Sequence, residues 1–535
     1  MSFFGFNVAL RGLYTAQKSL DIVNHNINNV NTTGYSRQYA VQTAARPMST
    51  YNGTGMIGTG SNINAVERMR DEYLDYKYWG ENIIYGEWEA KRSVLADLEA
   101  LFNEPSDSGF TTVLNNFFSS LQELAKDPSS PAVRALVSQR GVTVAKYFNS
   151  MAAHLEKLQD DVNYRIRTKV EEINSLATQI QQLNRQIYIA ELGGNTANDL
   201  RDQRGVLVDK LSKIINIEAN EVVVGTLPDG TEDKHFIITI SGKALVNHFD
   251  VSKLSVVQRE EDEKVNAEDI SGLYEIKWAD GNILEVKGGE LRGYLDVRDG
   301  NGGEVGPNGI QSPMYKGIPY YMKKLNEFVQ TFAKAFNEGI IGGTDGYGHA
   351  DGYGIDPDGD GPAAASHGIR FFTMLGPDGQ PLSSAAFIDE SATPSEIEQR
   401  YKQLTAKNFA VSLDVTTDYN TIAASSNGAE VGNIDILNAL LKMRHDEHMF
   451  SEGAPEDFMK SLVSNLGVDS QQATNYLERQ ETIVNQVESN RLSVSGVSLD
   501  EEMANMVRYL HAYNSAAMMI STMNEIYDVL INRMG

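Results

Sequence analysis

Apolar residues at both ends of the chain recur with alternating spacings of three and four residues. At the N-terminal end this seam comprises Phe6, Ala9, Leu13, Ala16, Leu20, Val23, Ile27 and Val30. A mean period of 3.5 residues keeps one stripe of a helix facing a partner helix along its whole length, as in coiled coils. The pattern predicts an N-terminal helix that pairs with another helix. We expect it to end near Thr33 and Gly34, because glycine tolerates the left-handed cap conformation.

The C-terminal end carries two adjacent seams on one predicted helix, which begins at a capping-box pattern of Ser498 and Glu501. The first seam comprises Leu499, Met503, Met506, Leu510, Tyr513, Ala517, Ile520, Asn524, Tyr527 and Ile531. The second comprises Tyr509, Ala512, Ala516, Met519, Met523, Ile526 and Leu530. Two seams exceed what one neighbouring helix can bury, so pairing of the two terminal helices within a monomer would leave an apolar strip in water.

We therefore expect the seam residues to form a self-assembly interface, in which Asn524 fixes the register between helices. Ordinary helix bundles also carry amphipathic terminal helices, so the periodicity alone leaves that alternative open. The position of both seams at the chain termini favours assembly, since terminal segments fray unless something docks on them.

Helices dominate the first half of the interior. They are predicted over Arg70–Asn103, Phe110–Lys126, Pro131–Leu192 and Asn198–Ile214. The third of these has an upper length of about 90 Å, with Gly141 as a candidate break. Lys169 interrupts its seam of Val162, Ile166, Ile173, Leu176, Ile180, Leu183 and Ile187.

The pattern changes after Glu218 to the alternation that is typical of strands. Strands are predicted at Val222–Val224, His235–Ile240 and Tyr274–Trp278, with turns at Pro228–Gly230 and Asp280–Asn282. A helix follows over Pro319–Glu338, then a glycine- and aspartate-rich loop over Ile340–Ala365. Helices resume over Ile434–Phe450, Pro455–Leu466 and Asp469–Asn490.

These patterns predict a multidomain, mainly α protein with a β-rich central insertion. Residues 1–67 and 491–535 form a terminal helical coiled-coil domain. Residues 68–217, 315–345 and 403–490 form a rod domain of long helices, and residues 218–314 form a β-rich outer domain. Residues 346–402 hold the glycine- and aspartate-rich loop and a small variable insertion.

Charge and composition narrow the class of partner. The 535 residues contain 46 Lys and Arg against 72 Asp and Glu, a net charge of −26, which argues against nucleic-acid binding. No apolar run approaches the roughly 20 residues of a membrane span, and the first residues lack the pattern of a secretory signal. The absence of Cys excludes disulfides and thiol catalysis. We expect protein partners, with neither nucleic acid nor membrane.

Two patterns could in principle carry metal chemistry. Asp356, Asp358 and Asp360 have the spacing that opens a calcium loop, but His367 stands where the bidentate acid belongs. His445 and His448 lie three residues apart on a predicted helix without the H-E-x-x-H arrangement. The better interpretation of the first is a solvated acidic turn, and that of the second is an exposed helical turn. No phosphate-binding, dinucleotide-binding or nucleophile-elbow motif is present, so we predict neither an enzyme nor a cofactor.

Longer motifs at both ends carry a family resemblance. The stretch Ala9–Gln38 resembles the rod, hook and hook-associated proteins of the bacterial flagellum, and Ser493–Ile531 is similar to their shared C-terminal segment. Gly34-Tyr35-Ser36-Arg37-Gln38 and Gly496-Val497-Ser498-Leu499-Asp500-Glu501-Glu502 resemble the hook-associated protein 1 family within that group. Two interior stretches are also similar to the hook-associated protein 1 family, VEEINSLATQIQQLNRQI and NDLRDQRGVLVDKLS. Gly205 departs from the family pattern, which more often has an acidic residue at that position.

The resemblance implies a structural axial protein that forms the junction between flagellar hook and filament and polymerises through its terminal helices. It implies an inner tube layer of terminal helices and an outer layer of β structure. The implied partners are further copies of the chain, the hook protein, the second junction protein (hook-associated protein 3) on the filament side, and an export chaperone at the C-terminal helix. The implied location is extracellular, after type III export without a cleaved signal peptide.

Two alternatives stay open at the level of sequence. A related axial protein such as a hook subunit would share the termini, but the helix predicted over Pro131–Leu192 argues against it. An enzyme hosted in the central insertion would have to use Asp356, Asp358 and Asp360, or His445 and His448, for metal-dependent hydrolysis.

Overall fold

The computed structural model describes residues 4–49, 55–102, 109–226, 232–355, 366–389, 391–428, 430 and 432–532. The helices are α1 (Phe4–Asn28), α2 (Glu72–Phe102), α3 (Phe110–Lys126), α4 (Pro131–Glu191), α5 (Asn198–Ile214), α6 (Glu290–Asp299), α7 (Ile318–Glu338), α8 (Ser384–Phe387), α9 (Pro394–Lys402), α10 (Leu413–Thr417), α11 (Asp435–Met443), α12 (Pro455–Ser495) and α13 (Leu499–Asn532).

The strands are short and fall into small antiparallel sheets. They are β1 (Gln38–Ala44), β2 (Met48–Ser49), β3 (Met56–Ile57), β4 (Ser61–Arg68), β5 (Glu218–Thr226), β6 (Glu232–Ile240), β7 (Lys243–Asn247), β8 (Asp250–Val251), β9 (Leu254–Gln258), β10 (Tyr274–Trp278), β11 (Ile340–Ile341), β12 (Thr344–Asp345), β13 (Phe372–Met374) and β14 (Phe409–Val411). The predicted class, mainly α with a β-containing central region, is confirmed.

The two ends of the chain meet in an antiparallel helix pair. Asn26 of α1 bonds Glu502 of α13. Further along the pair, Gly12 lies against Ala516 and Gly5 lies against Met523. The β1–β4 ladder packs on another side of α1, where Thr15 Oγ1 donates to the Ser61 carbonyl at 3.2 Å.

The predicted end of α1 near Gly34 is wrong by about one turn and a half, because the helix ends at Asn28. Asn29 Nδ2 donates to the His25 carbonyl at 3.0 Å, and such side-chain bonds compete with continuation of a helix. Gly34 does adopt the expected left-handed conformation, with φ +77° in the turn that follows.

The long helix α4 spans 61 residues without a break, which corresponds to about 90 Å. The break considered at Gly141 is absent, because the missing side chain makes room for Phe371 and Val411 against the helix. The two helices expected over Pro455–Leu466 and Asp469–Asn490 are one, α12, which packs along α2. Buried Leu466 and Ala473 hold α12 in the core on both sides of Gly467.

A four-stranded sheet in the order β5-β6-β7-β8 and the β9–β10 pair lie beside α4. The strands predicted at Val222–Val224, His235–Ile240 and Tyr274–Trp278 lie within β5, β6 and β10. The Asp280–Asn282 turn is confirmed, since the Trp278 amide donates to the Asn282 carbonyl at 2.8 Å. The turn expected at Pro228–Gly230 lies outside the described residues.

An aromatic core joins α3, the first half of α4, α7 and the β13–β14 pair. Phe148 stacks on Phe328 with ring centroids 5.0 Å apart, and Phe328 stacks on Phe450 at the same distance. The helix expected over Ile434–Phe450 ends at Met443, because the following turns bring Phe450 into this core. The Asp446 carboxylate accepts the His448 amide at 2.9 Å and stabilises those turns.

Candidate assembly interface

Helix α1 contacts a stripe of α13 that is shared between the two predicted seams. The seam residues of α13 that are half-buried are Met506, Tyr509, Tyr513, Ala516, Ala517, Ile520, Met523 and Tyr527. The seam residues that are exposed are Leu499, Met503, Leu510, Ala512, Met519, Asn524, Ile526 and Ile531. The pairing therefore buries one side of each predicted seam and leaves the other in solvent.

The exposed seam residues form two strips that flank the α1 contact. One flank carries Met503, Leu510, Asn524 and Ile531, and the other carries Ala512, Met519 and Ile526. Met503 is 60% exposed, Leu510 47% and Ile531 70%, which is high for large apolar side chains along one helix. Asn524 lies on a flank and is exposed, so its role in fixing the register stays a prediction.

Most of the N-terminal seam packs against other parts of the same chain. Ala9, Ala16 and Val23 are buried, whereas Phe6, Leu13, Leu20, Ile27 and Val30 are half-buried. Small residues on α1 allow close approach to α13, since a Cβ on Gly12 would lie 4.0 Å from that of Ala516. The apolar surface left for other molecules thus falls mainly on α13.

A buried polar cluster fixes the base of the terminal helix pair. Asn26 Nδ2 donates to the Gln38 carbonyl at 2.9 Å and to Glu502 at 3.2 Å. Asn26 Oδ1 accepts the Gln38 amide at 3.0 Å and the Tyr35 hydroxyl at 2.7 Å. Arg37 bonds Glu502 at 2.8 Å and Glu501 at 2.7 Å. A side chain that satisfies four partners at once defines one geometry for the junction of α1, β1 and α13.

The same cluster extends from the terminal helices into the rod. Asp202 of α5 accepts the Ser36 amide at 2.7 Å and the Ser36 hydroxyl at 2.8 Å. Arg68 donates to the same carboxylate at 2.7 Å, and Gln38 donates to Asp199 at 2.6 Å. The segment between α1 and β1 is therefore anchored to the first turns of α5.

Arg491, near the end of α12, forms a second anchor. Its guanidinium bonds both oxygens of Asp209, at 3.1 and 2.8 Å, and lies 3.4 Å from Asp75. Arg70 in turn bonds both oxygens of Asp75 at 2.7 and 2.8 Å. Paired and bidentate contacts of this kind compensate for the burial of charge.

Burial and charge shift the pKa values of groups in both anchors. Burial and the nearby Asp199 and Asp202 raise the pKa of the Tyr35 hydroxyl, which stays a neutral donor to Asn26. Burial opposes the charge of Arg491, but Asp209, Glu488 and Asp75 outweigh it and raise the pKa.

The anchors were not predicted as functional residues from sequence. Most members of the first anchor, the cluster around Asn26 and Asp202, nonetheless lie in motifs that carried the family resemblance: Ala9 to Gln38, Asn198 to Ser212, and Gly496 to Glu502. Arg68, Arg70, Asp75 and Arg491 lie outside those motifs. Those motifs are distant in the chain and converge in the fold. One of the two bonds of the expected capping box is present, with the Glu501 amide 3.5 Å from the Ser498 hydroxyl, while the Glu501 carboxylate bonds Arg37.

The metal candidates gain no geometric support. Asp356, Asp358 and Asp360 lie outside the described residues. His445 and His448 lie on turns after α11 and not on a helix, and the side chain of His448 is 87% exposed. In the described part of the chain, no group of three or more His, Asp or Glu residues is arranged to hold a metal ion. No described helix combines the length and apolarity needed to cross a membrane.

Comparisons with known proteins bear on this helix pair directly. Residues 95–353 match the family described as the flagellar hook-associated protein FlgK helical domain. Residues 6–35 match the flagella basal body rod protein family, and residues 488–534 match the flagellar basal body rod FlgEFG protein C-terminal family. The two terminal matches include most of α1 and all of α13.

A full-length relative decides the family. The chain is 30% identical to flagellar hook-associated protein 1 of Bacillus subtilis over 555 aligned residues, covering 100% of this chain and 99% of the relative. The chain belongs to the flagellar hook-associated protein 1 family. The Escherichia coli member is 25% identical, covering 98% of this chain and 99% of that protein. The flagellar hook junction protein FlgK of Burkholderia pseudomallei shares the fold, with TM-score 0.54 and 14% identity over 78% of this chain and 100% of that one.

Membership in the hook-associated protein 1 family gives the function in outline. The protein is a structural axial protein of the bacterial flagellum, at the junction of hook and filament. Family matches over the middle of the chain and both termini separate it from a hook subunit, the alternative that shares only the termini. Its relatives are named as structural proteins and not as enzymes.

Proposed function

We propose that the chain assembles by stacking copies of the α1–α13 pair, with the two exposed flanks of α13 as the contact surfaces. The observation that carries this proposal is the division of each C-terminal seam. One side packs on α1, and the other side exposes Met503, Leu510 and Ile531 on one flank and Met519 and Ile526 on the other. Burial of a large apolar side chain is worth about 1.5–3 kcal/mol, so a neighbour on each flank would gain several such increments.

The two anchors give this assembly a mechanical role. Asp202 of α5 holds the segment that follows α1 through Ser36, and Arg491, near the end of α12 that leads into α13, bonds Asp209 of α5. Force on the outer helices would therefore reach the terminal pair through side chains that are bonded to both neighbouring segments. In this proposal the inner pairs form a continuous tube wall and the outer domains accommodate the mismatch between hook and filament.

The proposed neighbours are those that the family resemblance implies. Copies of this chain would occupy the flanks within a ring, the hook protein would contact one end, and hook-associated protein 3 would contact the filament end. An export chaperone would cover α13 before assembly, because that helix exposes Leu510 and Met519 in the monomer. The protein would act outside the cell after export through the flagellar channel, and we propose no catalytic activity.

Substitution of Leu510 tests the proposal without disturbing the α1 contact. In a strain that lacks its own junction protein, Leu510→Asp should abolish filament growth while α1 and α13 keep their protection from hydrogen exchange. Ile520→Asp should abolish both, because Ile520 lies on the stripe that faces α1. Asn514→Asp adds the same charge at an exposed position outside both seams and serves as the matched control.

Electron microscopy of the isolated flagella would score the junction. Normal junctions with Leu510→Asp would contradict the flank surfaces. Loss of exchange protection in α13 of that variant would mean that Leu510 acts through the monomer fold instead.

A further inference from the structure

The tip of the β7–β8 hairpin docks on the long helix α4. Asn184 Nδ2 donates to the His248 carbonyl at 2.9 Å, and Gln181 Nε2 donates to the Phe249 carbonyl at 3.0 Å. The ring of Tyr188 meets Phe249 edge-on at 5.4 Å. The tip thereby attaches one end of the four-stranded sheet to the rod.

His248 holds an unusual position at this tip. Its backbone φ is +51°, a left-handed conformation that histidine adopts more often than most side chains but less readily than glycine. The residue is 5% exposed, and neither ring nitrogen has a hydrogen-bond partner among the described residues. A buried imidazole without hydrogen-bond partners loses the solvation that a protonated ring needs.

A second histidine lies directly on this ring. The His235 and His248 rings stack in parallel, with centroids 4.0 Å apart and an interplanar angle of 6°. Such a stack is compatible with two neutral rings or with one charge, but two positive rings at that distance would repel each other. The pair joins the middle of β6 to the hairpin tip.

The charged groups around the two histidines differ in whether they favour or oppose a proton on each ring. On β6, Asp233 lies 3.6 Å from His235 Nε2 and gives a proton on that ring a nearby carboxylate. Asp233 also favours a positive charge on His248, whereas Arg204 on α5 opposes it. Glu221 on β5 favours that charge too, while it pairs with Arg204 at 3.3 Å. On α4, the Tyr188 ring meets His248 edge-on with centroids 5.8 Å apart, and Arg185 lies 5.8 Å from the Phe249 ring centroid.

We propose that the stacked His235 and His248 form an acid-sensitive latch, which releases the β7–β8 tip from α4 when His248 takes up a proton. Solvation of the charged ring requires that it leave the stack, and the carbonyl contacts of Asn184 and Gln181 are lost with it. The sheet would then pivot on the rod while the terminal helix pair stays intact.

The linkage between protonation of His248 and docking of the tip sets how docking depends on pH. Burial, with a contribution from His235, lowers the pKa of docked His248 to about 4, against an ordinary value near 6.5 once released. The docked state binds fewer protons, so docking is complete above pH 6.5 and weakens progressively as the pH falls towards 4. With those two pKa values the equilibrium for release rises about 20-fold between pH 7 and pH 5.

Hydrogen exchange of the full chain tests the latch. We expect protection factors of residues 232–251, corrected for intrinsic exchange, to fall about 20-fold from pH 7 to pH 5. His248→Asn should remove that dependence, because asparagine tolerates positive φ and does not titrate. His154→Asn, at an exposed position on α4, should leave it unchanged.

A direct titration of the wild-type imidazole rings by NMR covers the case in which His248→Asn fails to dock at neutral pH. A depressed pKa for His248, with exchange of residues 232–251 following its protonation, supports the latch. Three results would overturn it: unchanged protection between pH 7 and pH 5, the same pH dependence in His248→Asn, or titration of His248 at its ordinary pKa with the tip still docked.

Discussion

The side chain of Asn26 lies against Glu502, with Nδ2 donating at 3.2 Å across 476 residues of sequence. Both residues are buried, at 1% exposure each, and the Glu502 carboxylate also accepts from Arg37 at 2.8 Å. This contact closes the chain on itself at the base of the terminal helix pair. It also sets the register of the antiparallel pair, in which Gly12, fourteen residues before Asn26, lies beside Ala516, fourteen residues after Glu502.

Replacement of Asn26 by alanine should loosen the terminal pair. The substitution leaves the Gln38 amide and carbonyl without their partner, and each buried unsatisfied group costs about 1–3 kcal/mol. We expect amides of α1 to exchange at least fivefold faster in hydrogen-exchange experiments on the monomer, while α4 is unaffected. Asn24→Ala, at an exposed position on the same helix, is the control. Equal effects of the two substitutions would argue against a role for the buried cluster.

Gly12 should accept alanine but not leucine. A Cβ there would lie 4.0 Å from the Ala516 Cβ, an ordinary contact, and alanine favours a helix by about 1 kcal/mol over glycine. Gly12→Ala should therefore slow exchange in α1 and α13. Gly12→Leu should accelerate it, because the additional atoms have to push the helices apart. A change in the same direction for both variants would show that the helices are not in close contact at this point.

Two glycines inside long helices should respond to alanine with opposite signs. A Cβ on Gly141 would lie 2.5 Å from Cε1 of the buried Phe371, whereas a Cβ on Gly467 would have no neighbour within 4 Å. We expect Gly141→Ala to destabilise its region by about 1–3 kcal/mol through overpacking. Gly467→Ala should stabilise α12 by about 1 kcal/mol through helix propensity. Exchange protection of residues 135–150 and 460–475 measures both, and stabilisation by Gly141→Ala would contradict the packing.

His349 should make its surroundings acid-sensitive in a second, separate way. Nδ1 donates to the Ile369 carbonyl at 2.6 Å and Nε2 accepts the Ala423 amide at 2.9 Å, so the ring has to be neutral. Burial lowers its pKa to about 4, and protonation of Nε2 would break the Ala423 bond. Because the folded pKa lies below the ordinary 6.5, stability is complete above that value and decreases towards pH 4, by about 3 kcal/mol.

An NMR titration of the His349 ring in the His248→Asn variant would isolate this effect. Exchange near residues 349, 369 and 423 should follow the same titration. A ring that titrates near 6.5 without loss of local protection would show that His349 is not held in this neutral form.

Local signals determined much of the helical structure in advance. The limits of α3 (Phe110–Lys126) and α5 (Asn198–Ile214) agree with the predicted ones, and α7 differs by a single residue. The reason is that Pro, Gly and the 3.6-residue periodicity act within one or two turns of the chain. The family could also be recognised from sequence, because its motifs are continuous stretches of the chain.

Packing partners decided what the local pattern left open. Gly141 and Gly467 interrupt the sequence pattern but not the helices, since Phe371 fills the space beside one and α2 holds the helix around the other. The helix expected to reach Phe450 ends at Met443 because the aromatic core requires that ring in a turn.

The sequence by itself determined that α13 has more apolar surface than one helix can cover. The tertiary structure decided which stripe α1 takes, and hence that Leu510 is exposed while Ile520 faces the partner helix. It also brought Asn26, Asp202 and Glu502 into one cluster from three distant motifs. Periodicity records how much surface a helix offers, but contacts between distant segments depend on the register of the whole fold, which no local pattern specifies.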